Sequence, residues 1–265
     1  MTPAGAAAWH SDTAIRFECM IGNPHVRAVE SLFGPIPYRP DLVPPGMRFV
    51  FLCFTNRSGS NHLAEALQSD GRLNMAGEFF NADAIEADTR LHGHASFAEY
   101  LCRQVQWRQV GGRFVAKVAP AHLELLGRAG VLDAAGGGAS YIHINRADRL
   151  AQAISHGIAE QTQQWTSATR ADPARRPRYA RSRIAQIMQQ IDEGNALFDR
   201  FFAINGIAAA RIGYEGLIAD PEASLAVVGS AIGVPGLRVV PTAMRLTRQA
   251  GMLNQEWRAR FDAGQ

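Results

Sequence analysis

The hydrophobic positions of the chain form two kinds of pattern that alternate along the sequence. Short apolar runs, too short for helices, predict strands buried on both faces. They are Phe49–Phe54, Arg113–Val118, Tyr141–Asn145 and Ala208–Ile212. Between them, apolar residues recur at helical spacing over residues 62–67, 96–110, 122–132, 150–158 and 184–202. Strands that alternate with helices predict an α/β fold, a three-layer and P-loop-like parallel sheet with helices on both faces.

Weaker patterns complete the predicted order of elements. Arg72–Met75 is predicted as a short strand and Val26–Leu32 as a short helix. Asp220-Pro221-Glu222 is predicted to start a helix that ends at Gly233, because aspartate before proline is typical of a helix N-terminus and glycine of its end.

Residues 1–46 are predicted to form an N-terminal arm, and residues 47–265 a single α/β domain. The arm contains prolines at positions 35, 37, 40, 44 and 45. These prolines exclude a regular helix or an inner strand over that passage. We expect the arm either to lie over the domain or toward a partner subunit, or to be an ordinary tether.

A polar loop, Thr55–Asn61, follows the first predicted strand and precedes a helix. A strand, a short loop and a helix together aim backbone N–H groups and the positive end of the helix dipole at an anion. Arg57 adds a cationic fork, and Ser58 and Ser60 add hydroxyl donors. The stretch therefore predicts a phosphate-binding loop, with a plain turn whose serines cap the helix as the alternative.

The loop does not have the pattern of a Walker A motif, which needs two glycines around four residues, then Lys and Ser or Thr. Here the single glycine is Gly59, Arg57 precedes it, and no Lys-Ser/Thr pair follows to hold Mg²⁺. We therefore predict no metal site.

Composition and charge favour a folded protein with an anionic ligand over a nucleic-acid-binding protein. The chain has 265 residues, 47% apolar and 19% charged, with a net charge of +3 and a pI near 9.0. That is mildly basic, well short of typical nucleic-acid binders. The Arg-rich passage Arg170–Arg183 has only Tyr179 interleaved for stacking on bases. We expect it to be a solvated loop that screens or gates an anionic substrate, with nucleic-acid contact as the alternative.

Cysteine usage and the absence of long apolar runs indicate the compartment. Cys19, Cys53 and Cys102 have no metal-ligand spacing, so we expect free thiols in a reducing cytosol. No apolar run approaches the length of a membrane span, and the N-terminus lacks a signal-peptide pattern. We expect a cytoplasmic protein without a membrane span.

Several segments resemble one enzyme family in the right order. Arg57-Ser58-Gly59-Ser60 resembles the 5′-phosphosulfate loop of sulfotransferases that use 3′-phosphoadenosine-5′-phosphosulfate (PAPS). Other segments are similar to motifs of the bacterial Stf-type sulfotransferases, the group that includes the trehalose 2-sulfotransferases. They are Glu78-Phe79-Phe80, Tyr141–Asp148 with Gln152–Ser155, Gln161-Thr162 and Trp165, Tyr214–Leu217 with Asp220-Pro221-Glu222, and Arg248–Ala250 with Glu256-Trp257.

The resemblance implies PAPS as co-substrate, held at both of its anionic ends. It implies that Arg57, Ser58, Gly59, Ser60 and Asn61 bind the 5′-phosphosulfate, that Arg146 and Ser155 bind the 3′-phosphate, and that Arg248 closes over the nucleotide. Positions 148, 152 and 155 share one helix face, which turns Ser155 toward the strand end that carries Arg146. The alternative for Arg146 is a surface ion pair with Asp148.

Sulfuryl transfer needs a deprotonated acceptor hydroxyl and neutralisation of charge on the leaving phosphate. By resemblance Glu78 is the general base, and Arg57 and Lys117 stabilise the departing bisphosphate oxygen. A lysine inside the apolar run Arg113–Val118 is out of place in a buried strand unless its end reaches a site. The alternatives are a solvated loop glutamate and an edge-strand lysine with its head in water.

The predicted activity is metal-independent transfer of a sulfuryl group from PAPS to a hydroxyl of a carbohydrate, a glycolipid or a small natural product. A P-loop-type kinase and a non-catalytic nucleotide-binding protein are the alternatives. The resemblance also suggests a homodimer. His62 is either a loop residue at the helix start or part of the acceptor site, and the sequence leaves the acceptor itself open.

Overall fold

In the described part of the computed structural model, four parallel strands form the central sheet, in the order β2-β1-β3-β4. The strands are β1 (Arg48–Phe54), β2 (Arg113–Val118), β3 (Ser140–Asn145) and β4 (Ala210–Gly213). The structure describes residues 15–20, 22–135, 138–166, 175–245 and 251–265. Because all strands run the same way, their carboxyl ends meet at one edge of the sheet.

Helices connect the strands and cover both faces of the sheet. Those in the first half of the described chain are α1 (Pro24–Phe33), α2 (Ser60–Ser69), α3 (Ala82–His92), α4 (Phe97–Arg108), α5 (Pro120–Arg128) and α6 (Val131–Ala135). Those in the second half are α7 (Arg149–Thr162), α8 (Arg181–Ile204), α9 (Tyr214–Ala219), α10 (Pro221–Ala231) and α11 (Met252–Asp262), with a short 3₁₀ helix at Pro241–Ala243.

The alternation of side chains along β1 explains why two separate cores form. Phe49, Phe51 and Cys53 pack on one face with residues of α1, α4, α5 and α8. Val50, Leu52 and Phe54 pack on the opposite face with residues of α2 and α10. Successive strand residues point to opposite faces, so a continuous apolar run is what a strand between two helical layers requires. The predicted three-layer α/β fold is confirmed.

The predicted helix over residues 122–132 is wrong, because the segment divides into α5 and α6. The break falls at Gly130, whose φ is +78°. A Cβ there would lie 2.8 Å from the backbone nitrogen of Pro40, and Ala129 O accepts the backbone N–H of Arg39 at 3.0 Å. The proline-rich passage therefore lies against the point where the helix ends.

The predicted strand Arg72–Met75 is also wrong. Instead of pairing backbone to backbone, Asn74 reaches the edge strand β2 with its side chain. Its Oδ1 accepts from Val115 N at 2.8 Å, and its Nδ2 donates to Val115 O at 2.8 Å. Gly77 O then accepts from Lys117 N at 2.8 Å. One side-chain amide thus takes the place of a strand neighbour.

Smaller differences concern the ends of elements. The fourth strand begins at Ala210 rather than Ala208, and α8 already begins at Arg181, inside the predicted Arg-rich loop. The part of that loop at residues 170–174 lies outside the described residues. Helices α3, α9 and α11 were not predicted, although Asn81 and Gly93 cap α3 in the usual way.

The described part of residues 1–46 packs closely on the rest of the chain. Phe17 is fully buried against Gly127, where a Cβ would come within 2.2 Å of its ring. The buried carboxylate of Glu124 accepts from Met20 N and from Asn23 Nδ2, each at 2.9 Å. The division of the chain at residue 46 stays a prediction.

Two further properties follow from the described residues. The cysteines Cys19, Cys53 and Cys102 are free thiols. Among the helices described, none has both the length and the hydrophobicity needed to cross a membrane.

The change Asn74→Ala should lower the free energy of unfolding by about 1–3 kcal/mol, because it leaves a buried N–H and a buried C=O of Val115 without partners. Urea unfolding of the two proteins measures the difference. Met75→Ala is the matched control, since the neighbouring Met75 side chain is exposed. Equal losses in the two variants would contradict the role given to the Asn74 amide.

Candidate active site

A cleft of about 870 Å³ opens at the edge of the sheet where the strands end. Its walls come from the segments that follow β1, β3 and β4, from Lys117 in β2, and from α7 and α11. Residues 78–83 and 163–166 complete them. Ligands of α/β proteins usually bind at this edge, because loops and helix N-termini converge there. The predicted site residues that line it are Arg57, Gly59, Ser60, Asn61, Glu78, Lys117, Arg146 and Ser155.

The loop after β1 is held in a tight turn by backbone geometry. Ser58 N donates to Thr55 O at 3.2 Å, and both Arg57 (φ +63°) and Gly59 (φ +97°) are left-handed. At Gly59 a Cβ would lie 2.4 Å from Cδ2 of Tyr214. Glycine is therefore required here both by its φ and by the ring that lies against it.

The start of α2 presents the donors expected of an anion-binding loop. The backbone N–H groups of Gly59, Ser60, Asn61 and His62 donate to no backbone carbonyl of the described residues, and no side chain caps the helix. The first N–H groups of a helix and its dipole attract negative charge. This loop can therefore bind an anion in the cleft.

Arg57 links this loop to α7. Its Nε donates to Ser155 Oγ at 2.9 Å and its Nη1 to Trp165 O at 2.5 Å. Burial, and then the charge of Arg146, lower the pKa of Arg57 from its ordinary value. Residues expected at opposite ends of one nucleotide therefore lie in the same cleft and influence one another.

Arg146 lies at the end of β3 with its guanidinium 4.7 Å from the centre of the Tyr214 ring. Its Nε is buried and has no hydrogen-bond partner among the described residues. The alternative ion pair with Asp148 is wrong, because Asp148 pairs with Arg258 at 2.6 Å and caps α7 by accepting from Ala151 N. A buried guanidinium N–H without a partner is a costly arrangement that an anionic ligand would relieve.

Lys117 connects the edge strand with the candidate base. Its Nζ donates to Glu78 Oε1 at 2.7 Å and to Asn61 Oδ1 at 2.6 Å, and lies 4.5 Å from the centre of the Phe54 ring. The Lys117 side chain is 3% exposed and that of Glu78 37%. Burial lowers the pKa of Lys117, and the Glu78 carboxylate opposes that shift. The alternative of an edge-strand lysine with its head in water is therefore wrong.

Ser58 and Arg248 are the remaining predicted site residues. The Ser58 side chain is fully buried, its Oγ has no partner among the described residues, and it does not line the cleft. Arg248 lies outside the described residues.

The cleft also contains residues that were not predicted as site residues. They include Asn56, Asn81, Asp83, Trp165, Thr166, Tyr214, Ile218, Asn254, Gln255 and Arg258, together with His62, whose role was left open. Trp165 and Tyr214 belong to segments that carry the resemblance, so a signal for them was present. Asp83 and Arg258 had no such signal, because nothing in their local sequence distinguishes them from surface charges on a helix.

Residues 82–264 match the model of the Stf0 sulphotransferase family. The chain belongs to this family. A curated relative, the trehalose 2-sulfotransferase of Mycobacterium tuberculosis (strain ATCC 35801 / TMC 107 / Erdman), is 33% identical over 138 residues, which are 51% of this chain and 50% of the relative. The chain thus aligns with about half the length of the curated relative it matches.

Membership of the Stf0 sulphotransferase family confirms the resemblance inferred from the motifs. The matched span includes Lys117, Arg146 and Ser155, and it begins after the Arg57 loop and Glu78. The roles of individual site residues therefore stay predictions, supported by the geometry of the cleft.

The change Gly59→Ala should destabilise the loop by about 1–3 kcal/mol, through the left-handed φ and the contact with Tyr214. We also expect at least about tenfold weaker binding of adenosine 3′,5′-bisphosphate, because the N–H groups of the loop are displaced. Thermal unfolding and calorimetry measure the two effects. Gly213→Ala is the control, since Gly213 adjoins Tyr214 and a Cβ there meets nothing within 4 Å. Wild-type binding by Gly59→Ala would contradict the assignment of the loop.

Proposed function

We propose that this Stf0-family protein is a sulfotransferase that moves a sulfuryl group from PAPS to an acceptor hydroxyl. The observation that carries the proposal is the arrangement of one cleft. It combines a phosphate-binding turn with Arg57, a buried Nε of Arg146 that has no partner in the described part of the chain, and a carboxylate, Glu78, held by a buried lysine. Family membership supplies the reaction class.

The donor would be bound through its two anionic ends. The backbone N–H groups of Gly59 to His62 would donate to the 5′-phosphosulfate, and the buried Nε of Arg146 would donate to the 3′-phosphate. Arg57 and Ser155, in contact at 2.9 Å, join the two regions. Paired cationic contacts of this kind are how proteins bind phosphate esters.

Glu78 would remove the proton from the acceptor hydroxyl. As the O–H bond breaks, the hydroxyl oxygen forms a bond to sulfur, and the bond between sulfur and the phosphate oxygen breaks with its electron pair leaving on adenosine 3′,5′-bisphosphate. Lys117 then faces a protonated Glu78, so its charge is available to the departing oxygen. A preorganised cation at such a position lowers the activation barrier by about 3 kcal/mol.

The acceptor side of the cleft is polar. Asn81, Asp83 and His62 line it together with Glu78. Amide and carboxylate groups bind hydroxyl-rich molecules well, which favours a carbohydrate, a glycolipid or a small polyhydroxylated natural product as acceptor. The name of the relative, trehalose 2-sulfotransferase, also concerns transfer to a sugar.

Titration with adenosine 3′,5′-bisphosphate and with ATP plus Mg²⁺ tests the donor. We expect the bisphosphate to bind at least about tenfold more tightly, because only it has a 3′-phosphate for Arg146. Arg146→Met should remove most of that preference, while Arg238→Met, an exposed arginine outside the cleft, should keep it. Tighter binding of ATP that depends on Mg²⁺ would favour the kinase alternative instead.

The change Glu78→Gln should lower kcat by about 10²–10⁴-fold, because the amide cannot accept the proton, and should leave bisphosphate affinity within about threefold. Initial rates of sulfate transfer from PAPS to a panel of sugars measure the first effect and calorimetry the second. Glu86→Gln is the matched control, since Glu86 pairs with Arg90 on α3 and does not line the cleft. Transfer at the wild-type rate by Glu78→Gln would remove the assignment of the base.

A further inference from the structure

One face of α7 contacts three successive residues of the loop after β1. Gln152, Ser155 and His156 lie at spacings of three and four, which places them on the same side of the helix. Gln152 binds Thr55 and Asn56, Ser155 binds Arg57, and His156 Nε2 lies 3.5 Å from Asn56 Nδ2. The helix that begins after Arg146 is therefore joined directly to the loop that carries Arg57.

Gln152 makes the most buried of these contacts. Its side chain is 0% exposed, and its Nε2 donates to Thr55 Oγ1 at 3.0 Å and to Asn56 O at 2.8 Å. Asn56 O can only accept, which fixes the orientation of the amide. The Oε1 of Gln152 consequently remains buried without a hydrogen-bond partner among the described residues. An apolar residue would avoid that cost, so the two donated bonds are what the amide adds.

Helix α8 also contacts this loop. At Gly194 a Cβ would lie 2.9 Å from Cγ2 of Thr55. Thr55 thus contacts α8 through its methyl group and the Gln152 amide through its hydroxyl group. A displacement of the loop relative to α7 must break the two bonds of Gln152, because both of their acceptors belong to the loop.

We propose that Gln152 is a positioning residue that couples the two anion-binding ends of the donor site. The inference rests on the proposed function, since it takes the loop after β1 and the Arg146–α7 region as the two ends. Through Gln152, fixing one end sets the position of the other. A ligand with both phosphates then binds more tightly than the separate contributions of its 3′- and 5′-phosphates predict.

The test compares adenosine, adenosine 3′-phosphate, adenosine 5′-phosphate and the 3′,5′-bisphosphate by calorimetry, with competition for the weaker ligands. In the wild type, the affinity gained from both phosphates together should exceed the product of the gains from each alone. In Gln152→Met, which keeps the size and removes both donors, we expect that excess to fall by about fivefold or more. A role in stability alone would lower the affinity of all four ligands by one common factor.

Three further variants serve as controls for the effect of Gln152→Met. Thr55→Val keeps the shape of the threonine and removes one of the two acceptors of the Gln152 amide. We therefore expect the excess affinity to fall by about half as much as in Gln152→Met, on a logarithmic scale. This variant tests the proposal even if Gln152→Met folds poorly. Gln152→Glu should behave like Gln152→Met, because a carboxylate cannot donate to Asn56 O. Gln161→Met, on the same helix with its amide bound to Gly157 O and Arg178 O, should leave the excess unchanged.

The possible failures are distinguishable. A wild type that binds the bisphosphate no more tightly than adenosine 5′-phosphate would overturn the donor assignment, and this inference with it. A wild type that prefers the bisphosphate, with the same excess in Gln152→Met and Thr55→Val, would overturn the role of Gln152 alone.

Discussion

The parallel pairing of β1 with β3 is the constraint on which the site depends. Phe54 lies beside Ile144 in the register, so the two strands end next to each other and the segments that follow them begin side by side. Arg57 and Arg146 occupy those two segments, close enough that the charge of one affects the other. Because backbone hydrogen bonds and cores on both faces fix this register, two like charges can be kept together without a ligand.

A buried lysine on the edge strand is the second element of the site. Lys117 has a place in the cleft because β2 pairs with β1 on one side and is covered by residues 74–78 on the other. Its hydrogen bond to Gly77 O and its ion pair with Glu78 come from consecutive residues of that covering segment. The fold therefore determines the position of the carboxylate through the same segment that covers the sheet.

The sequence predicted the layers well because strands β1 to β3 are short apolar runs that only a doubly covered sheet explains. It failed where a distant contact overrides a local pattern. Arg72–Met75 has strand-like composition, but the side chain of Asn74 occupies the backbone groups of β2 with which a strand would pair. The helix predicted over residues 122–132 breaks at Gly130, which lies against the backbone of Pro40. The alternative ion pair of Arg146 with its near neighbour Asp148 is wrong for the same reason, because Asp148 pairs with the distant Arg258.

The way Asn74 covers β2 also bears on how this protein behaves at high concentration. An open edge strand offers a row of unpaired backbone groups onto which a strand of another molecule can add. Here both outward-facing groups of Val115 are bound by the Asn74 amide, both of those of Arg113 by Val110, and the N–H of Lys117 by Gly77 O. Because most of the hydrogen-bonding groups along this edge already have partners, a strand of another molecule has little to pair with, which protects the protein against edge-to-edge aggregation.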